Sequence, residues 1–339
     1  MIVKPLIAAA LALLPASALA QSATLPTDPA ADWSVATSEH RVAVEGGKVW
    51  VRVNGTIGKG ETPVIFIHGG PGGTHVNFGS LLSLADTRPV ILYDQLDSGM
   101  SDHPENPANW RPDRFVAELE AIRKALGVER WHVIGHSWGS ALALEYAAAY
   151  PEHTASAVLS GTFLSTSHWI TGTNLLIRDL PDDVAVAIRA CEGPTPPAAS
   201  VCEPATAAFY AAYNGRPDRP APSPVMLAYR QRYGGKGFNA KLYNAMWGPT
   251  EFRASGSLAG YDVSGLLARV DGERVMFVVG QYDEARLDTV QDFLALTPGA
   301  ELAVVPGGSH AYITERPEIA EAIFRDWMAR KDAQERAGK

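Results

Sequence analysis

The chain has 339 residues, of which 46% are hydrophobic and 19% charged, with a formal net charge of −8 at pH 7. This is the composition of an ordinary globular protein with room for one large α/β domain, and it excludes disordered and fibrous classes. A mildly acidic balance without basic clusters gives no reason to expect nucleic acid or an anionic membrane surface as a partner.

Residues 1–20, MIVKPLIAAALALLPASALA, read as a signal peptide. Lys4 supplies the positive start, Leu6 to Leu14 the apolar core, and Ala18-Leu19-Ala20 a small-residue cleavage site before Gln21. The apolar run is too short to span a bilayer. No cysteine lies near the cleavage site, so no membrane anchor is expected after cleavage. A periplasmic or secreted protein is the expectation, with a net charge of −9 once Lys4 is lost (−8 minus +1).

Residues 21–40 are polar and aperiodic and read as a surface lead-in. From Arg41 the run RVAVEGGKVWVRVNG alternates on either side of Gly46-Gly47, a β-hairpin signal. Val64 to Ile67 and Val90 to Tyr93 are short, continuous apolar runs, as expected of strands covered on both faces. Residues 112–126 carry apolar side chains at helical spacing and end at Gly127, a C-cap residue. A strand from Trp131, a helix stopped by Pro151 and a strand from Ser156 to Leu159 follow.

Between 166 and 255 the rhythm changes. Short strands disappear, prolines cluster from 194 to 224, and aromatics recur, among them Tyr213, Tyr229, Tyr243 and Trp247. This segment reads as a mainly helical cap. The alternating pattern resumes with strands at Arg274 to Val279 and Glu301 to Val305, a helix near 287–296 and an amphipathic helix at 317–330, beyond which the charged tail is expected to fray. The fold expected is therefore α/β, a mostly parallel sheet with helices on both faces, built from 41–165 and 256–335 with the cap between. Cys191 and Cys202 are the only cysteines, and an oxidising compartment would join them. Closing so short a loop contributes on the order of 2–3 kcal/mol in the chain-entropy account.

The chemistry centres on WHVIGHSWGSALALEYAAAY, residues 131–150: strand, tight turn, helix, with Ser137 at the apex of Gly135-His136-Ser137-Trp138-Gly139. A bare G-x-S-x-G is common by chance. Here the flanking strand and helix lift a hydroxyl clear of the sheet above a helix N-terminus, making Ser137 the candidate nucleophile. Such a serine needs a base, and the base needs an orienting acid. Asp283 and His310 lie at the ends of the last two strands, where a parallel sheet gathers its functional groups on one edge. Their order after Ser137 is that of an α/β-hydrolase triad. Asp94 is the rival acid, but it precedes the nucleophile strand. His136 and His68 read as packing or loop-bracing residues. The backbone N–H groups of Trp138 and of Gly70, in the loop HGGPGG, are the candidate oxyanion donors. No metal-ligand spacing and no phosphate loop occurs, so no metal or cofactor is expected.

With these residues in hand the chain resembles the prolyl aminopeptidase (proline iminopeptidase) family of α/β-hydrolases. The matching motifs are HGGPGG (68–73), YDQLDSG (93–99), ERWHVIGHSWGSALALEYAAAYPE (129–152), MWGPTEF (246–252), GQYDEA (280–285) and GGSHAYITERP (307–317). The resemblance implies hydrolysis of a peptide or amide bond next to a free N-terminal residue, typically proline, with a small peptide or amino-acid derivative as partner. It also implies that Glu251 and Glu284 bind the substrate's amino group. The chain departs from the family pattern at Asp97-Ser98-Gly99, where Gly-Cys-Gly is frequent, and at His136, where glycine is common. An amino-acid amidase or small-ester hydrolase on the same scaffold, and a catalytically silent binding protein, are the other readings. Oligomeric state is not legible in the sequence.

Overall fold

The computed structural model describes residues 36–338. The expected signal peptide, and the lead-in as far as residue 35, lie outside the described residues. Eight strands form one sheet: β1 (Ser38–Val44), β2 (Gly47–Asn54), β3 (Val64–Ile67), β4 (Val90–Asp94), β5 (Trp131–His136), β6 (Thr154–Ser160), β7 (Val275–Gly280) and β8 (Glu301–Val305). Their spatial order is β1-β2-β4-β3-β5-β6-β7-β8. The hairpin β1–β2 is antiparallel and β2 runs antiparallel to β4, whereas every pairing from β4 to β8 is parallel. β1 starts at Ser38, inside the expected lead-in, because Ser38 pairs with Val53.

Side-chain alternation explains why the central strands are apolar throughout. Ile65, Ile67, Ile91, Tyr93 and Val133 enter one core with Phe115, Leu119 and Ile122 of α1 (Pro112–Leu126) and with Ala141 and Leu142 of α2 (Trp138–Ala149). Their sequence neighbours Val64, Phe66, Val90, Leu92 and Ile134 enter a second core on the opposite face. Each such buried side chain contributes on the order of 1.5–3 kcal/mol. α1 begins with Pro112, where the missing N–H costs nothing, and ends at Gly127 in the left-handed region (φ 65°).

Between β6 and β7 the chain forms α3 (Thr166–Leu176), α4 (Asp182–Cys191), α5 (Ala199–Tyr213), α6 (Pro224–Tyr233) and α7 (Ala240–Met246). A small core of its own, with Leu176, Ile188, Phe209 and Phe252, holds α3, α4 and α5 together. Cys191 and Cys202 bring α4 and α5 together with Cα atoms 5.7 Å apart, within disulfide range. After β7 come α8 (Leu287–Ala295), the single turn α9 (Tyr312–Glu315) and α10 (Pro317–Ala337).

The charged tail does not fray at residue 330: α10 runs on to Ala337. Lys331 and Asp332 are buried. Asp332 accepts a hydrogen bond from Arg88 at 3.0 Å and pairs with His132 at 3.1 Å. Another difference is the turn of 3₁₀-helix at His75–Asp86, which supplies Phe78, Leu81 and Leu82 to the second core.

Candidate active site

Ser137 stands between β5 and α2 with φ 57° and ψ −126°. A non-glycine residue at positive φ costs about 1–3 kcal/mol and persists only where its surroundings hold it. Here the Ser137 N–H donates to the Ser160 carbonyl at 2.8 Å. Its own carbonyl accepts from the Ser140 N–H at 2.8 Å and the Ser140 hydroxyl at 2.6 Å. The flanking glycines are required by contact. A Cβ on Gly135 would lie 1.9 Å from the Gly139 carbonyl oxygen, and one on Gly139 would lie 2.2 Å from that of Ile67. Gly139→Ala is therefore expected to destabilise the protein by about 3 kcal/mol or more, since both neighbours are backbone and cannot turn away. Gly265→Ala, where nothing lies within 4 Å, is the matched control. Urea midpoints of the two variants check this, and equal midpoints would refute it.

His310 and Asp283 meet at the sheet edge. His310 Nδ1 is 2.7 Å from Asp283 Oδ1. Asp283 is fixed in turn by the N–H groups of Gly280 at 3.1 Å and Ala285 at 2.9 Å. The His310 N–H donates to the carbonyl of Tyr213 at the end of α5, at 2.9 Å, so a helix of the 166–255 segment holds this loop. A Cβ on Gly161 would lie 2.7 Å from His136 and 2.8 Å from His310. Gly161 directly follows Ser160, to which Ser137 is bonded, and this brings elbow and imidazole to one place. Burial alone would lower the His310 pKa, but Asp283, then Glu284 and Glu251, outweigh it and push it up to about 9.

Asp94 is elsewhere. Buried at the end of β4, it accepts from the His75 N–H at 2.8 Å, stands 2.9 Å from His75 Nδ1 and accepts from the Met100 N–H at 2.8 Å. Those bonds pin loops. His68 does similar work, taking the Gln95 N–H at 3.0 Å on Nε2. His136 bonds to the Ser160 hydroxyl at 2.8 Å through Nδ1, and its ring lies 4.6 Å from that of His310. Burial and the charge of His310 keep His136 well below the usual imidazole range.

Glu284 lies beside the His310 imidazole, and Glu251 is near enough for its charge to raise that ring. Glu251 Oε2 accepts from the Trp169 indole N–H at 3.1 Å, and its Oε1 accepts from the Tyr243 hydroxyl. Glu284 is buried. Its Oε1 accepts from Asn214 at 2.6 Å and lies 3.8 Å from His310 Nε2, while Oε2 has no hydrogen-bond partner among the described residues. Burial, with the neighbouring charge of Glu251, pushes Glu284 up to about 8, and burial also raises Glu251. The glycine loop runs against the elbow: a Cβ on Gly69 would lie 2.8 Å from Ser137 Cβ. Gly70 follows at φ 113°, and Trp138, whose N–H was the other expected oxyanion donor, opens α2.

Comparison with known proteins gives the family. Residues 62–219 match the α/β hydrolase fold family. The proline iminopeptidase of Heyndrickxia coagulans is 35% identical over 292 residues, covering 86% of this chain and 98% of that protein. The chain belongs to the proline iminopeptidase family of α/β-hydrolases. The crystal structure of proline iminopeptidase from Mycobacterium smegmatis superposes with a TM-score of 0.74 at 30% identity, covering 88% of this chain and 99% of that one. The crystal structure of VinJ gives a TM-score of 0.75 at 29% identity over 87% of this chain and 99% of that one.

Within this iminopeptidase-family fold, the departure at Asp97 has a local structural role. Asp97 accepts from the Trp110 indole at 2.8 Å and the Glu105 N–H at 2.7 Å, both inside its own loop region. Sequence reasoning missed the groups that hold the glutamates. Trp169 carried no signal, Tyr243 stood out only as one aromatic among many, and Asn214 sits in a stretch without pattern.

Proposed function

We propose that the chain is an exported serine aminopeptidase of the prolyl type, releasing N-terminal residues through an acyl-enzyme. Ser137 Oγ attacks the carbonyl next to the substrate's free amine while His310 Nε2 takes its proton. Asp283 holds the imidazole tautomer and stabilises the charged ring. The N–H groups of Trp138 and Gly70 receive the developing oxyanion, and losing one such donor typically costs about 100–1000-fold. His310 then protonates the leaving amine, and water, activated by the same imidazole, releases the amino acid. Export and a Cys191–Cys202 disulfide belong to this reading, supported by the leader composition and the closeness of the two cysteines.

The observation that carries the reading is the pair of glutamates beside the His310–Asp283 bond. Carboxylates in a confined, partly dry site favour an ammonium and disfavour substrates that lack one. The names of the relatives agree with it. Free-amine anilides of proline, alanine and leucine, their N-acetylated forms and a short acyl ester form the test panel. Hydrolysis of the free-amine substrates, proline fastest, with none of the blocked ones, is expected. Ester cleavage indifferent to N-blocking would overturn the aminopeptidase reading and leave a general esterase.

A further inference from the structure

The mechanism above needs a neutral Nε2 on His310, and the structure surrounds that atom with the opposite influence. Asp283 Oδ1 stands 2.7 Å from Nδ1, and Glu284 Oε1 stands 3.8 Å from Nε2. Adjacent residues of one turn therefore address both nitrogens of the ring. Two carboxylates at the two nitrogens favour the form that carries a proton on each. Among the described residues, the ion pairs of Asp283 and Glu284 run to His310 alone. The other groups around the ring do not offset this charge. Glu251 adds a third carboxylate, His136 is held neutral, and the Trp169 ring, 5.6 Å away, carries no charge.

We propose that Glu284 latches His310 in its doubly protonated, non-basic form in the free enzyme, and that the substrate's ammonium releases it by taking over the carboxylate. The inference rests on the amine-binding reading of Glu251 and Glu284 and deepens it. The amine then serves as a key for the base as well as a handle for binding. Glu284 is built for the exchange: its buried Oε2 has no hydrogen-bond partner among the described residues, and its Oε1 is already held by Asn214. A cation brought between Glu251 and Glu284 supplies the charge that the imidazolium supplied before. The imidazolium then gives up its Nε2 proton to water. The freed lone pair accepts the Ser137 hydroxyl proton as Oγ bonds to the carbonyl carbon. A substrate without the amine meets an enzyme whose base stays charged, so it is rejected at the chemical step as well as in binding. Burial and Glu251 push the Glu284 carboxyl up to about 8 and the carboxylates push the His310 ring up to about 9, so the latching ion pair is fullest between those values.

The test is the titration of His310 itself in Ser137→Ala protein, followed by nitrogen NMR of labelled imidazoles. The His310 signal is identified by its loss in His310→Asn. Free protein is expected to keep His310 doubly protonated beyond neutral pH. Saturating L-prolinamide should move its midpoint down by about one to three pH units, the span typical of a nearby charge. Glu284→Gln should lower the midpoint without ligand and remove most of the ligand's effect. Should that variant fail to fold, the ligand titration of the parent decides alone. Selective binding of prolinamide over N-acetylprolinamide with an unmoved or raised midpoint would sink the latch and leave the amine site standing. Equal binding of the two would overturn the amine site and the latch together.

Discussion

Ser137→Ala is expected to lower kcat by roughly a millionfold and Asp283→Asn by about 10⁴-fold, with the folded protein retained in both. Removing the hydroxyl removes the proposed nucleophile outright, and what is left would come from binding and the proposed oxyanion donors. The asparagine acts through the ring. Its amide can still bond to His310 Nδ1, now 2.7 Å from Asp283 Oδ1, but an N–H placed there fixes the wrong tautomer and no charge remains to stabilise the imidazolium. Asp94→Asn separates the rival acid from this role. Asp94 holds the backbone of His75 and Met100 and the His75 ring, so its replacement should lower the urea midpoint with far less effect on kcat. Rates on the best free-amine anilide, with denaturation curves for each variant, check the set. A 10⁴-fold loss in Asp94→Asn with unchanged stability, and none in Asp283→Asn, would reverse the assignment of the acid.

The two aspartates show how far the sequence carried. Both stand where a short apolar strand gives way to a polar turn, Asp94 as the last residue of β4 and Asp283 three residues after β7, so local pattern could not separate them. Chain order favoured Asp283, and the bond to His310 agrees. Strands such as Val64–Ile67, buried throughout, and Glu301–Val305, partly buried at the end of the strand order, were legible to the residue, because each is a short apolar run between turn residues. The elbow was legible for a related reason, since contact leaves only glycine at Gly135 and Gly139. The end of α10 was not. Its last turns are charged, and what keeps Asp332 folded in is a pair of partners, Arg88 and His132, some 200 residues or more away. The glutamates mark the boundary between pattern and resemblance. By itself Glu251 reads as a surface carboxylate, and only the family motif around it suggested a binding role. That Trp169 and Tyr243 orient it depends on how α3 and α7 approach the sheet edge, which no local periodicity encodes.

Glu251→Gln is expected to cost about 2–5 kcal/mol in transition-state binding of free-amine substrates, which is roughly 30- to several-thousand-fold in kcat/KM. The side chain keeps its shape and its bonds can be kept too. The amide oxygen accepts from Trp169, and the amide nitrogen donates to Tyr243, whose hydroxyl can turn to accept. What is lost is the charge. The loss should fall mainly on KM, because the ammonium is held in the ground state and the transition state alike. N-acetylated and ester substrates, which bring no cation, should be hydrolysed no more slowly than by the parent, so discrimination narrows from the free-amine side. The sign of the pH effect follows from the same charge. Burial raises the Glu251 carboxyl above its usual range, so in the parent kcat/KM falls on the acid side as the carboxylate is protonated. A glutamine has no proton to take up, and this part of the acid limb should vanish in the variant. Equal losses on free-amine and N-acetylated substrates would mean that Glu251 acts on the shape of the site and does not read the substrate's charge.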